Sequence, residues 1–195
     1  MHSNIEIESK VLLTEEEYLT LVSYLHLERY KRIKQVNHYI DSPSRTLKNN
    51  DFALRVRELD DFVLTLKTPL SEGLLEKNQS LTWREYDALE DEGIFPDGEI
   101  KDFLENCGFN VRELKVLASL TTYRIEFEYE NGIVSLDENY YGENNEIKDY
   151  ELEFSSTSME KAMEYTKQLL SEAKIKFRKF NTHSKQTRAI AAITK

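Results

Sequence analysis

Three pairs of like charges, each spaced two residues apart, are the parts of this sequence best suited to chemistry. They are Glu6 with Glu8, Arg55 with Arg57, and Glu151 with Glu153. On an extended strand, residues i and i+2 share a face, roughly 6.5–7 Å apart at a rise of ~3.3 Å per residue. Each pair therefore crowds like charges onto one side of the backbone and needs an opposite charge nearby. Paired carboxylates suit a hard divalent cation, which prefers oxygen ligands. Paired guanidinium groups suit phosphate oxygens, which they grip in fork geometry. Around the first pair, residues 4–11 alternate strictly. Ile5, Ile7, Ser9 and Val11 take one face, while Glu6, Glu8 and Lys10 take the other. One such strand is equally an amphipathic strand with a solvated face, so recurrence has to decide.

The pattern recurs along the chain. Phe52, Leu54 and Val56 oppose Arg55 and Arg57, and Thr65 shares a face with Lys67. Arg124, Glu126 and Glu128 lie opposite Tyr123, Ile125, Phe127 and Tyr129; the return strand, residues 133–137, ends at Asp137. Residues 150–154 mirror the opening strand. An antiparallel sheet closed into a barrel would gather these polar faces inside. Burying so many charges is costly unless they are paired, metal-bound or hydrated. The expected architecture is α+β: a closed eight-stranded antiparallel barrel forming a tunnel, charged within, with helices packed on the outside.

The elements that must hold these strands are read more simply. Thr14 with Glu17 forms a capping box for a helix reaching about Glu28. Residues 29–34 are basic, 35–41 alternate as a strand, and 45–50 form a helical turn. A hairpin turn is expected at 59–62, and a strand over 77–85 that aligns Trp83 with Glu85. Helical stretches follow at 85–92 and 99–107, with Gly108 as the C-terminal cap and Cys107 as a buried packing residue. Asn131-Gly132 signals a hairpin, and 142–146 another turn. A helix capped by Thr157 or Ser158 runs to about Ala173, burying Met159, Ala162, Met163, Leu169 and Leu170, and a short apolar helix covers 189–193.

Composition narrows the function. A chain of 195 residues with a net charge of −10 is expected to be one domain, 1–195, with no general attraction for nucleic acid or an anionic membrane. One cysteine fits a reducing cytoplasm, and no apolar run approaches the roughly 20 residues of a membrane span. The scattered glycines form no phosphate-binding loop, and the histidines have no metal-ligand spacing. The oxygen-only acid pairs favour Mg2+ or Mn2+ over Zn2+.

Glu6-x-Glu8-x-Lys10 resembles the ExExK signature of the CYTH superfamily, the triphosphate tunnel metalloenzymes. Asn37-x-Tyr39-x-Asp41, Arg55-x-Arg57, Thr65-x-Lys67, Glu85, Arg124, Leu136-Asp137, Glu151-x-Glu153 and Ser184-Lys185 continue the resemblance in order. It looks most like the small bacterial Firmicutes members assigned as adenylate cyclase or triphosphatase. The resemblance implies an eight-stranded tunnel and hydrolysis of inorganic, thiamine or nucleoside triphosphates, a small-molecule partner. It implies that Lys10, Arg55, Arg57, Lys67, Arg124 and Lys185 bind the triphosphate. Glu6, Glu8, Asp137, Glu151 and Glu153 would hold Mg2+ or Mn2+, with Glu85, Glu126 and Glu128 as further candidates. Glu6, Glu8, Lys10 and Arg124 form the implied catalytic set. The alternatives are a class IV-type adenylate cyclase and a non-catalytic polyphosphate or nucleotide binder. Where some thiamine triphosphatases carry a lysine, this chain has Asn139, and Arg178 or Lys179 is the expected substitute base.

Overall fold

The alternating stretches fold as strands that pair antiparallel throughout. In a computed structural model, the structure describes residues 2–130, 132–142 and 144–193, with His2 and Ser3 as backbone only. The strands are β1 (His2–Glu6), β2 (Glu8–Leu13), β3 (Ile33–Asp41), β4 (Ala53–Glu58), β5 (Phe62–Pro69) and β6 (Leu74–Leu81), then β7 (Lys115–Tyr129), β8 (Gly132–Tyr141) and β9 (Ile147–Ser155). The helices are α1 (Glu15–Tyr24), α2 (Trp83–Asp91), α3 (Glu99–Asn106), α4 (Met159–Glu172) and α5 (Lys185–Ile193).

The strand order is β1-β6-β5-β4-β3-β7-β8-β9-β2. Its two edges, β1 and β2, are consecutive in the chain, separated by Ile7 alone. The backbone itself therefore bridges both edges, and counting β1 and β2 as one broken strand leaves eight. Two details secure the seam. The Ser156 N–H donates to the Ile7 carbonyl at 3.0 Å, carrying the β2–β9 ladder across the break. Gly73, at φ +77°, faces the Glu6 carbonyl so closely that a Cβ would meet it at 2.4 Å. Only glycine tolerates both that backbone angle and that approach.

The apolar faces point outward into helices. Val11, Leu136, Leu152 and Phe154 pack with Tyr18, Leu21 and Leu169 beneath α1 and α4. Leu54, Val56, Leu64 and Leu66 pack with Tyr86, Leu89, Ile100 and Leu104 beneath α2 and α3. Ser9, the polar residue on the apolar face of β2, donates to the Ala162 carbonyl at 2.8 Å and meets Thr166 Oγ1 at 2.6 Å. The Thr14–Glu17 capping box starts α1, and Ser158 caps α4.

Several expectations need correction. The sixth strand stops at Leu81, and Thr82 opens α2 with a second capping box, its partner being Glu85. Glu85 is thus a capping residue, not a tunnel carboxylate. Cys107 is exposed: it is the C-terminal cap of α3, whose apolar stripe ends at Leu104. In α4 the buried residues are Ala162, Thr166, Leu169 and Leu170, so Met159 and Met163 are less covered than expected. The helices do not all lie outside. Ala189 and Ile190 of α5 pack with Tyr39, Ala118, Leu120 and Tyr141. Leu120 shares its strand face with Arg124, so α5 fills one end of the barrel interior. The hairpin at Asn131 and the turn through position 143 each include a residue outside those described.

Candidate active site

A cavity of about 120 Å³ occupies the barrel, lined by Glu6, Glu8, Lys10, Gln35, Asn37, Tyr39, Arg55, Arg57, Thr65, Lys67, Arg124, Glu153, Lys185 and Gln186 among others. Both edges of the sheet and its centre contribute, as a closed wall requires. Register explains the convergence: Arg55 lies opposite Tyr39 and Thr65, Arg124 opposite Asp137, Asp137 opposite Glu151, and Lys10 opposite Glu153.

The charges inside form two unlike groups. One is fully paired. Arg124 grips Asp137 with Nε and Nη2, both at 2.7 Å, and reaches Glu153 at 2.5 Å. Lys185 Nζ lies 2.8 Å from Asp137, 2.8 Å from Glu151 and 2.5 Å from Glu153. Arg188 binds Glu151 at 2.8 Å and Asp149 at 2.9 Å. The segment before α5 is tied across the wall, since the Asn181 N–H donates to the Lys10 carbonyl at 2.7 Å and its side chain donates to Glu151 at 2.9 Å. That tether brings Lys185 into the barrel.

The other group is under-compensated. Arg55 and Arg57 have no carboxylate in ion-pair range among the described residues, and their buried Nε atoms lack hydrogen-bond partners. Arg55 beside it, then burial, pushes the Arg57 guanidinium down to about 10. Burial, then Arg55, also lowers the pKa of Lys67, which is bonded to Glu6 and lies 3.4 Å from Glu76. Burial pushes the Glu8 carboxyl up, with Glu153 and Glu6 adding to the rise and Lys10, at 2.5 Å, opposing it. Arginines without acid partners at a cavity wall are what a polyanion would complete.

A profile of the CYTH domain matches residues 4–187. The chain belongs to the CYTH family. It is 36% identical over 176 residues, 90% of each chain, to the Bacillus subtilis protein named "Putative triphosphatase YjbK". A Bacillus halodurans structure described as a "putative adenylate cyclase" superposes with a TM-score of 0.87 at 37% identity, covering 96% of this chain and 98% of that one. The Hippeastrum protein HpAC1, described as having a dominant triphosphatase activity, has a TM-score of 0.77 at 23% identity, covering 97% of both chains, and is a likeness of fold. No helix among the described residues is long and apolar enough to cross a membrane.

Within this CYTH barrel, Glu6, Glu8, Lys10, Arg55, Arg57, Lys67, Arg124, Glu153 and Lys185 surround one cavity. Asp137 and Glu151 lie behind it, fully buried, and with Glu153 form a carboxylate cluster whose ligand atoms are all within 4.8 Å of one another. Glu6 and Glu8 are not part of that cluster among the described residues. Glu126 is a rim residue, 48% exposed, 3.7 Å from Arg124; Glu128 is exposed further along the strand. Arg178 is held by Glu17 at 2.5 Å on the outside, so it is not the substitute base near Asn139. Asn139 is bonded to Thr122 and to Asp149, the acid that Arg188 engages. Arg188 is therefore the base that enters this end of the barrel. Sequence reading missed it together with Glu76, whose partner is Lys67. Glu76 and Asn78 alternate as Thr65 and Lys67 do, a signal the sequence carried.

These ion pairs imply a pH dependence. Burial opposes the Glu151 charge, but Lys185 and Arg188 bring its pKa down to about 2, and Glu153 is likewise held well below the usual range by Lys185, Lys10 and Arg124. A depressed carboxylate contributes stability that is full above its unfolded value of about 4.5 and lost as pH falls through the folded value. Glu8 is raised and acts with the opposite sign. Without divalent metal, the urea midpoint is expected to hold from neutral pH down to about 4.5, then fall steadily toward pH 2. Glu151→Gln is expected to flatten that fall; an unchanged profile would show the pairing to be energetically idle.

Proposed function

We propose that this protein is a divalent-metal-dependent triphosphatase, one domain over residues 1–195, acting on inorganic triphosphate or a small-molecule triphosphate ester. The observation that carries the reading is the pair Arg55 and Arg57, half-buried at the cavity wall, with their buried Nε atoms unpartnered and no carboxylate in ion-pair range among the described residues. Lys10, Arg55, Arg57, Lys67, Arg124, Lys185 and Arg188 face Glu6, Glu8, Glu76, Asp137, Asp149, Glu151 and Glu153, equal numbers of each sign. A triphosphate entering such a balanced interior would need further positive charge.

The donor set fits a hard cation: Asp137, Glu151 and Glu153 are buried, all carboxylate, and converge to within 4.8 Å. Glu6, Glu8, Asp137, Glu151 and Glu153 would hold Mg2+ or Mn2+. Bound there, such an ion would supply positive charge to offset that of the phosphoryl oxygens. Arg55, Arg57, Lys10 and Lys67 orient the phosphate chain and stabilise charge on the transferred group. Arg124 is positioned by Asp137 and Glu153 so that it cannot swing away. Glu8, 2.5 Å from Lys10 at the cavity wall, holds that ammonium where it can meet the phosphate chain.

A cyclase reading draws on the name of the Bacillus halodurans relative. Against it, Tyr39 is the sole aromatic residue lining the cavity among those described, a poor surface for recognising adenine. The test is phosphate release from inorganic triphosphate, thiamine triphosphate and ATP with Mg2+ or Mn2+. Activity is expected to fall to background in EDTA, and ATP to yield ADP and phosphate. Full turnover in EDTA would refute the metal dependence, and cyclic AMP would favour the cyclase.

A further inference from the structure

Lys185 lies at the meeting point of the acid cluster. Its Nζ is 2.8 Å from Asp137, 2.8 Å from Glu151 and 2.5 Å from Glu153. Those are the three residues whose carboxylate oxygens converge closely enough to share an ion. A divalent ion would approach the same oxygens to roughly 2.0–2.6 Å. Arg124 and Arg188 also bond these carboxylates, but the point within 2.8 Å of all three is held by Lys185 Nζ, so a metal ion bound there would take its place.

We infer that the Lys185 ammonium is a built-in competitor for the metal, and that metal loading drives it off the carboxylates and into the lumen. The inference rests on the metal-site reading above. Its structural basis is the placement of α5. Lys185 is the first residue of that helix, and its neighbours Ser184 and Gln186 line the cavity. The released side chain has a short path to the lumen, where phosphate oxygens would accept its hydrogen bonds. The Gln186 Nε2 is buried without a partner, so the start of α5 already presents one unspent donor. One lysine thus serves two anions in turn: the acid cluster before the metal enters, and the triphosphate afterwards. Metal and triphosphate binding become cooperative, because the metal frees a base for the phosphate.

The test is Mn2+ binding measured without substrate, by calorimetry and by the spin-resonance signal of free Mn2+. Lys185→Met removes the competing charge and is expected to tighten Mn2+ binding at least tenfold. Lys185→Arg keeps the charge and is expected to bind no tighter than the parent protein. Affinity for inorganic triphosphate measured with metal present is expected to fall in Lys185→Met. If Lys185→Met does not fold, amide exchange in the parent protein decides. Mn2+ is then expected to speed exchange over residues 185–188, whose tie to the cluster is lost. Parent and variant binding Mn2+ equally, the variant binding it more weakly, or exchange left unchanged would overturn the inference while leaving the metal site standing. Failure of the folded parent protein to bind Mn2+ would overturn both.

Discussion

Arg55→Ala combined with Arg57→Ala is expected to lower kcat/KM for inorganic triphosphate by about 10³-fold, while the thermal midpoint drops by less than about 3 °C. The rate effect follows from two charge-assisted contacts to phosphate, each contributing about 2 kcal/mol, with 1.36 kcal/mol per decade. The stability effect follows from what these side chains lack. Neither has a carboxylate partner among the described residues, and Arg55 disfavours the charge on Arg57. Removing them breaks no ion pair and relieves a repulsion. Leu54 and Val56, which alternate with them, remain in the outer core. A large fall in the midpoint would mean the arginines hold the barrel together, and unchanged kinetics would mean they do not meet the substrate.

Glu153→Ala is expected to do the reverse to the fold: a midpoint lower by roughly 10 °C without divalent metal, at 2–4 °C per kcal/mol for a chain of this size. Glu153 is 5% exposed and accepts from Arg124 and Lys185, each at 2.5 Å, with Lys10 at 3.4 Å. Deleting it strands buried cations from three separate elements, which costs about 3–5 kcal/mol when one partner is lost. The lower end applies because each cation keeps a second acid: Asp137 for Arg124, Asp137 and Glu151 for Lys185, Glu8 for Lys10. A double-mutant cycle with Lys185→Met should show coupling of at least about 1 kcal/mol. Melting curves that superpose on the parent's would mean that water already reaches these ions.

The period-two pattern made the strands legible, and with them the face each charge occupies. It could not tell where a strand bends into a helix. Through Leu81, Trp83 and Glu85 the alternation continues, yet Thr82 and Glu85 form the same capping box that Thr14 and Glu17 advertised. The stronger local signal was present and was outweighed by the periodicity. Alternation is also silent about ladder register, so the clustering of Asp137, Glu151 and Glu153 needed the β7–β8–β9 pairing. The placement of α5 was illegible for a different reason. An apolar stripe of Ala189 and Ile190 fits an outer groove as well as an inner one. Tyr39, Ala118, Leu120 and Tyr141, clustered on a mostly polar inner face, were the hint that something greasy would enter. Cys107 shows the same limit of local reading, because a residue at a helix terminus can turn to either side.

The seam at Ile7 bears on how the molecule is made. Strand β1 pairs with Leu74–Asn78, and β2 pairs with Tyr150–Ser155. During synthesis the first strand must wait for partners that leave the ribosome much later. Until then β6 and β9 each present an unsatisfied ladder, the kind of surface through which nascent chains associate. Contacts so distant in sequence favour slow folding with a late, cooperative closing step. Strands β1 and β2 are thus made well before the partners that lock them in.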